Sequence, residues 1–68
     1  MPSRVVRRFN YLPGRHELIV ELVTGRRYLY SDVPEQEAEG FRNAFAKGVY
    51  FNRRIRGRYR YEELTSAD

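Results

Sequence analysis

Residues 17–32 read ELIVELVTGRRYLYSD and predict a β-hairpin around which the rest of the chain is arranged. Between Glu17 and Val23 the apolar residues Leu18, Val20 and Leu22 recur at every second position, as they do in a strand with one buried face. The run from Arg26 to Asp32 is rich in Tyr and Leu, which favours a second strand. Thr24-Gly25 lies at the reversal between the two strands.

The length of this turn decides which face of the sheet the two tyrosines of the second strand occupy, because a slip of one residue turns every side chain over. A two-residue turn would hold Thr24 at a positive φ, which a β-branched residue resists. A three-residue turn leaves the left-handed position to Gly25 and opposes Glu21 to Arg27, which is a favourable cross-strand pair. We therefore expect the three-residue turn.

In that register Tyr28 and Tyr30 lie on the apolar face of the hairpin, opposite Val20 and Leu18. We assign both rings to the core, with their hydroxyls reaching its edge. The alternative interpretation is an exposed aromatic pair on which nucleic-acid bases stack. The following helix is expected to cover this face with two further rings, Phe41 and Phe45.

The whole pattern predicts a single α+β domain over residues 1–68. Three strands, at about 4–11, 17–23 and 26–32, form an antiparallel meander packed by one main helix at about 34–47. Pro34 suits the first helical position, and Gly48 is the expected C-terminal cap. Gly40 in mid-helix suggests close packing against the sheet. A short helical turn and an extended C-terminal segment follow, and residues 65–68 are expected to fray.

Positive charge is concentrated in residues 47–61, which we call the basic segment. The chain of 68 residues has a net charge of +4, and the basic segment holds six of its 13 basic residues and no acidic one. The remainder therefore carries a net charge of −2. Most of these cations are arginines, whose planar guanidinium binds phosphate as a fork and stacks on bases. A merely solubilising surface is the alternative interpretation.

The basic segment interleaves its cations with aromatic rings, a mixture that suits nucleic acid because cations contact phosphates and rings stack on unpaired bases. The candidate nucleic-acid-binding residues are Lys47, Asn52, Arg53, Arg54, Arg56, Arg58 and Arg60, and the candidate stacking rings are Tyr50, Tyr59 and Tyr61. Structural roles are expected for Tyr28, Tyr30, Phe41, Phe45 and Gly48. Alternatively, some arginines pair with Glu62, Glu63 or the helix acids, and Asn52 caps the turn that follows it.

No residue pattern points to catalysis, a cofactor or a metal. The chain has a single histidine, His16, and no cysteine, so the usual metal ligand sets cannot be assembled. Its five glycines match neither phosphate-loop nor dinucleotide spacing, and no nucleophile stands with a base. We therefore expect a non-enzymatic protein. The N-terminus has no signal-peptide pattern and the apolar runs are short, so we expect a cytoplasmic location and no membrane contact.

These residues resemble the KTSC domain family. The likeness rests on Tyr28-Leu29-Tyr30, Val33-Pro34, the run AFAKGVYFN at residues 44–52, Ile55 and Tyr59-Arg60-Tyr61, and it extends from about Arg4 to Leu64. The resemblance implies a small domain that occurs at the C-terminus of some lysyl-tRNA synthetases and as short separate proteins, with RNA binding as its suggested function. Arg60 stands where a proline is common, which adds to the case for a polyanionic partner.

Two functions follow from these observations. The first is an RNA-binding module that uses the basic segment, with RNA preferred over DNA as the partner. The second is a protein–protein interaction module or regulator, bacterial or phage-type, that docks on a larger protein through an open strand edge. A homodimer that joins two basic faces is a further possibility for so small a domain.

Overall fold

The computed structural model describes residues 5–64 and folds them into one antiparallel sheet packed by helices. The strands are β1 (Val6–Leu12), β2 (Glu17–Leu22), β3 (Arg27–Tyr30) and β4 (Tyr61–Leu64), in the order β1-β2-β3-β4. Between β3 and β4 the chain forms α1 (Glu35–Asn43), α2 (Lys47–Tyr50) and a π-helical turn (Phe51–Ile55) that directly continues α2. The expectations for residue 4 and for the tail at 65–68 lie outside the described residues.

The hairpin of β2 and β3 has the predicted register. Leu18 lies opposite Tyr30 and Val20 opposite Tyr28, and Gly25 adopts a φ of 97° in the three-residue turn. Tyr30 is 3% exposed, and Tyr28 is half-buried against the core. The assignment of both rings to the core face is therefore correct.

A bulge lets β1 place two apolar side chains on the same face. The register between β1 and β2 shifts between Val6 and Arg8. Val6 and Phe9 are three positions apart and would face opposite sides of a regular strand. The bulge turns one of them over, so both pack against the core.

The sheet has four strands, so the prediction of a three-stranded meander is wrong in this detail. β4 pairs with β3, with Tyr61 opposite Tyr30 and Glu63 opposite Tyr28. The predicted extended C-terminal segment thus covers the edge of β3, and the edge strands of the sheet are β1 and β4. Tyr61, Glu62 and Glu63 are exposed, so this short edge strand lacks the apolar alternation that would have identified it.

The single helix predicted over 34–47 is interrupted. α1 ends at Asn43, where the Lys47 ammonium donates hydrogen bonds to the carbonyls of Arg42 (2.9 Å) and Ala44 (2.6 Å). A cation that binds terminal carbonyls stabilises the C-terminus of a helix. Gly48, expected to be the C-terminal cap, lies buried inside α2.

The interruption brings Tyr50 back onto α1. In a continuous helix Phe41 and Tyr50 would lie about 13 Å apart along the axis, whereas here their stacked ring centres are 5.5 Å apart. Gly40 permits this approach, because a Cβ at that position would lie 3.2 Å from Cζ of Tyr50 and would collide with its hydroxyl. The close packing inferred for Gly40 therefore involves α2 rather than the sheet. Phe45, predicted to cover the sheet, is 97% exposed.

Stacked groups form a column from the sheet to the basic segment. Phe9 stacks on Phe41 with ring centres 4.2 Å apart, and Phe41 stacks in turn on Tyr50. The Arg54 guanidinium lies 5.5 Å from the centre of the Tyr50 ring, within the range of a cation–π contact. We call these four groups the aromatic column. The largest fully buried side chains of the domain's described residues are Phe41, which belongs to this column, and Phe51, Leu18, Ile55, Val20 and Val33.

The two phenylalanines that were predicted to cover the sheet should differ in how much their truncation destabilises the fold. Phe41→Ala should lower the free energy of unfolding by about 3–5 kcal/mol, because it leaves a cavity in the core. Phe45→Ala should change it by less than about 0.5 kcal/mol, since its ring is exposed. Urea denaturation measures both, and Phe41→Leu provides a milder core variant should Phe41→Ala fail to fold. Similar losses for Phe41→Ala and Phe45→Ala would contradict this packing.

The buried tyrosines should make the fold sensitive to alkali. Burial raises the pKa of Tyr30 to about 12, and burial followed by hydrogen bonding to Glu37 raises the pKa of Tyr50 to about 12. An unfolded tyrosine titrates near pH 10, so the folded state retains protons that the unfolded state releases. Stability from this source is complete below about pH 10 and falls as the pH rises towards about 12.

Urea denaturation across this pH range should show the decline, and Tyr30→Phe should make it shallower. A free energy of unfolding that stays constant to about pH 12 in the natural protein would contradict the expectation.

Candidate nucleic-acid interface

The basic segment is anchored by two buried side chains and is exposed elsewhere. Phe51 and Ile55, spaced as one helical turn, are 1% and 0% exposed. The Arg56 N–H closes the π-helical turn by donating to the Phe51 carbonyl at 2.8 Å, and Gly57, with a φ of 77°, redirects the chain towards β4. The exposed polar residues of the segment are Asn52, Arg53, Arg54, Arg56, Arg58 and Arg60.

The carboxylate of Glu37 on α1 gathers three groups of the basic segment. It accepts hydrogen bonds from the hydroxyls of Tyr50 and, at 2.9 Å, of Tyr59, while Arg54 Nε lies 3.6 Å from Oε2. The Glu37 side chain is 11% exposed. Burial and the hydrogen bond to Glu37 raise the pKa of Tyr59, as they do that of Tyr50. Both tyrosines are therefore fixed on the protein as neutral donors.

Four arginines of the segment have no acidic partner among residues 5–64. The ion pairs within this range are Arg8–Glu21, Arg15–Glu17, Arg42–Glu39 and Arg54–Glu37. The expectation that some arginines pair with acids thus holds for Arg54 alone within the basic segment. Glu62 and Glu63 follow the segment directly, yet the unpaired arginines are Arg53, Arg56, Arg58 and Arg60.

Two of the candidate binding residues, Lys47 and Asn52, have contacts that the sequence did not predict. The ammonium of Lys47 is engaged by the carbonyls at the end of α1. Asn52 lies within the π-helical turn, whose N-cap position is Tyr50 and has no side-chain cap, so the capping role considered for Asn52 is wrong. Its Oδ1 accepts a long bond of 3.4 Å from Nη1 of Arg56, and the residue is exposed.

The candidate stacking rings differ in accessibility. Tyr50 has Phe41 against its ring and the Arg54 guanidinium near its ring centre, which makes it part of the aromatic column. Tyr59 is half-buried with its hydroxyl on Glu37. Tyr61 is 55% exposed, so it is the candidate with most ring surface available to a ligand.

A groove between β3, β4 and the π-helical turn was not foreseen from sequence. Tyr28, Tyr30 and Tyr61 meet there, and the ring centre of Tyr61 lies 5.6 Å from each of the other two. We call it the tyrosine groove; its volume is about 290 Å³ and its lining is completed by Leu22, Phe51, Arg56 and Gly57. The alternating Tyr59-Arg60-Tyr61 run was a signal, but the groove exists only because β4 joins the sheet.

The structure of residues 5–64 also bears on the histidine, on metal binding and on membrane-spanning helices. His16 is exposed in the turn between β1 and β2, with a φ of 54°. Within residues 5–64, no group of three or more His, Cys, Asp or Glu side chains is arranged to hold a metal ion. No helix in this range has the length and apolar character needed to cross a bilayer.

Similar proteins are found both as segments of larger enzymes and as a solved structure. The lysine–tRNA ligases of Nostoc punctiforme and of a Nostoc species are 34% identical over 61 residues and 35% identical over 60. These matches cover 90% and 88% of this chain but 11% of each ligase. The chain therefore spans about a tenth of the length of these relatives.

The fold also matches that of a KTSC domain protein from Yersinia pestis, whose crystal structure superposes with a TM-score of 0.83 and 25% identity. The match covers 96% of this chain and 94% of the other. The sequence profile of the KTSC domain matches residues 2–59. The chain therefore belongs to the KTSC domain family.

Proposed function

We propose that this KTSC domain is a non-catalytic RNA-binding module whose exposed arginines contact phosphates. The observation that carries the proposal is the set of guanidiniums with no acidic partner within residues 5–64, namely Arg53, Arg56, Arg58 and Arg60. Each cation that neutralises a phosphate releases a condensed counterion, so such a cluster favours binding to a polyanion. These arginines follow one another along a short stretch that is anchored at both ends.

The similarity to segments of lysine–tRNA ligases favours RNA over other polyanions as the partner. The relatives in which a similar segment occurs are named for ligating lysine to tRNA, and we extend that association with RNA to this chain. The same association supports our proposal of a cytoplasmic location. We leave Lys47 out of the proposed contacts, because its ammonium already donates to two carbonyls of the α1 terminus.

Neutralising the unpaired arginines should weaken RNA binding through its electrostatic component. We expect the triple variant Arg53→Gln, Arg58→Gln, Arg60→Gln to bind tRNA at least about tenfold more weakly at ~0.1 M salt, and the slope of log affinity against log salt to fall by about 2 to 3. The control removes the same number of charges elsewhere, at the exposed Arg7 and at Arg15 and Arg42, which are exposed but ion-paired, and should change affinity by less than about twofold. Fluorescence polarisation with labelled tRNA across a salt series measures both.

The comparison of the two triple variants separates a local site from a general charge effect. Equal losses in both would show that net charge alone attracts RNA. An unchanged affinity and slope in the basic-segment variant, with its circular dichroism intact, would refute the proposal.

A second candidate function, docking on a larger protein, is favoured by one observation. Phe45 is 97% exposed in the connection between α1 and α2, and Val49, four residues further on, is 41% exposed. Covering an exposed aromatic ring with a partner surface lowers the free energy of the complex. Such rings are frequent anchors of protein interfaces. This site differs from the strand edge considered from sequence, which in the four-stranded sheet would be that of β1 or β4.

Phe45→Ser tests that docking function separately from RNA binding. We expect it to abolish any nuclease-resistant complex recovered by affinity pull-down, because the anchor ring is lost, while tRNA affinity and thermal stability stay unchanged. Recovery of the same complex at undiminished yield with Phe45→Ser would exclude Phe45 as the anchor.

A further inference from the structure

We infer that the tyrosine groove binds one unstacked base of a single-stranded nucleic acid, with Arg56 against the adjoining phosphate. This inference rests on the proposed function and specifies the form of RNA that the domain takes. It goes beyond the phosphate contacts, because contacts to phosphates position a nucleic acid without contacting its bases.

The groove has the shape and surface that a base requires. Its volume of about 290 Å³ lies just below the range typical of ligand sites, ~300–1,000 Å³, which suits a ligand as small as one base. Tyr30 is 3% exposed and packs edge-on against Phe51, with ring centres 5.9 Å apart, so it forms the floor of the groove. Tyr61, on the edge strand, is 55% exposed and offers ring surface for stacking.

The polar ends of the lining side chains point to a ligand with hydrogen-bonding edges. The pKa of Tyr30 is raised first by burial and is also affected by Arg56, Tyr28 and Tyr61. These groups are therefore within electrostatic reach of its hydroxyl. A phenolic hydroxyl both donates and accepts hydrogen bonds, as do the edges of an unpaired base.

The charges around the groove suit a phosphodiester. Arg56 lines the groove, is exposed and forms no ion pair within residues 5–64. Glu63 lies on the same face, opposite Tyr28. Among residues 5–64 it forms no ion pair with Arg56, so the Arg56 guanidinium is available for a phosphate. A peptide without acidic groups would leave that charge without a counter-charge.

A duplex cannot use this groove, because its bases are stacked and paired inside the helix. An oligomer without bases has the same phosphates but no ring to place in the groove against Tyr61. Base-dependent, single-strand-selective binding is therefore the property that the groove adds to the arginines.

The test compares three labelled probes with equal numbers of phosphates: oligouridine, an abasic oligomer and an RNA duplex. The natural protein should bind oligouridine most tightly. Tyr61→Leu, which keeps an apolar side chain on β4, should weaken oligouridine binding roughly 5- to 150-fold, the range of base–aromatic stacking, and bring it to the level of the abasic probe. Tyr61→Phe should restore binding to within about twofold, since it keeps the ring.

Phe45→Ala is the matched control, because it removes an exposed ring outside the groove; it should leave oligouridine binding unchanged. Equal binding of oligouridine and the abasic oligomer by the natural protein would overturn the inference, even if Tyr61→Leu proved unable to fold. Binding that depends on the arginines but is unchanged in Tyr61→Leu would overturn the inference about the groove and leave the proposed function standing. Salt-independent or absent binding of every probe would overturn both.

Discussion

A nearly buried carboxylate, that of Glu37, holds the helical half of this domain together. A carboxyl group whose side chain is 11% exposed must find partners, because burial of a polar group without them is costly. Its partners come from beyond α1: the hydroxyls of Tyr50 and Tyr59 and the guanidinium of Arg54. To bring them there the chain must leave α1 after Asn43 and turn back. The interrupted helix and the position of the basic segment therefore depend on the same contact.

This arrangement divides the aromatic residues into structural rings and rings available to a partner. Tyr50 belongs to the aromatic column, between Phe41 and the guanidinium of Arg54. The large aromatic side chains that stay exposed among residues 5–64 are Phe45 and Tyr61. They lie on different elements, the α1–α2 connection and β4, so single substitutions can separate the proposed protein docking from the proposed nucleic-acid binding.

The sequence predicted the features that depend on neighbouring residues and missed those that depend on distant ones. The hairpin register follows from local facts, the left-handed position of Gly25 and the pairing of Glu21 with Arg27. No glycine or proline lies between Asn43 and Lys47, so the helix interruption has no local signal; it requires Tyr50 on α1. For the site, the exposed arginines could be predicted from composition, whereas the role of Lys47 and the tyrosine groove could not, because both require the tertiary fold.

The way in which the arginines are held bears on what they recognise. In the middle of the basic segment, Phe51 and Ile55 are buried in the core; near its end, the Arg60 carbonyl accepts the Ser31 N–H at 2.9 Å just before β4 begins. The backbone between them is therefore ordered before any partner arrives. An arginine-rich tail would have to be ordered on binding, at a cost in conformational entropy. A basic segment held at these points avoids that cost and presents its cations in a set geometry beside the tyrosine groove, which supports the proposed preference for one form of nucleic acid over general attraction to charge.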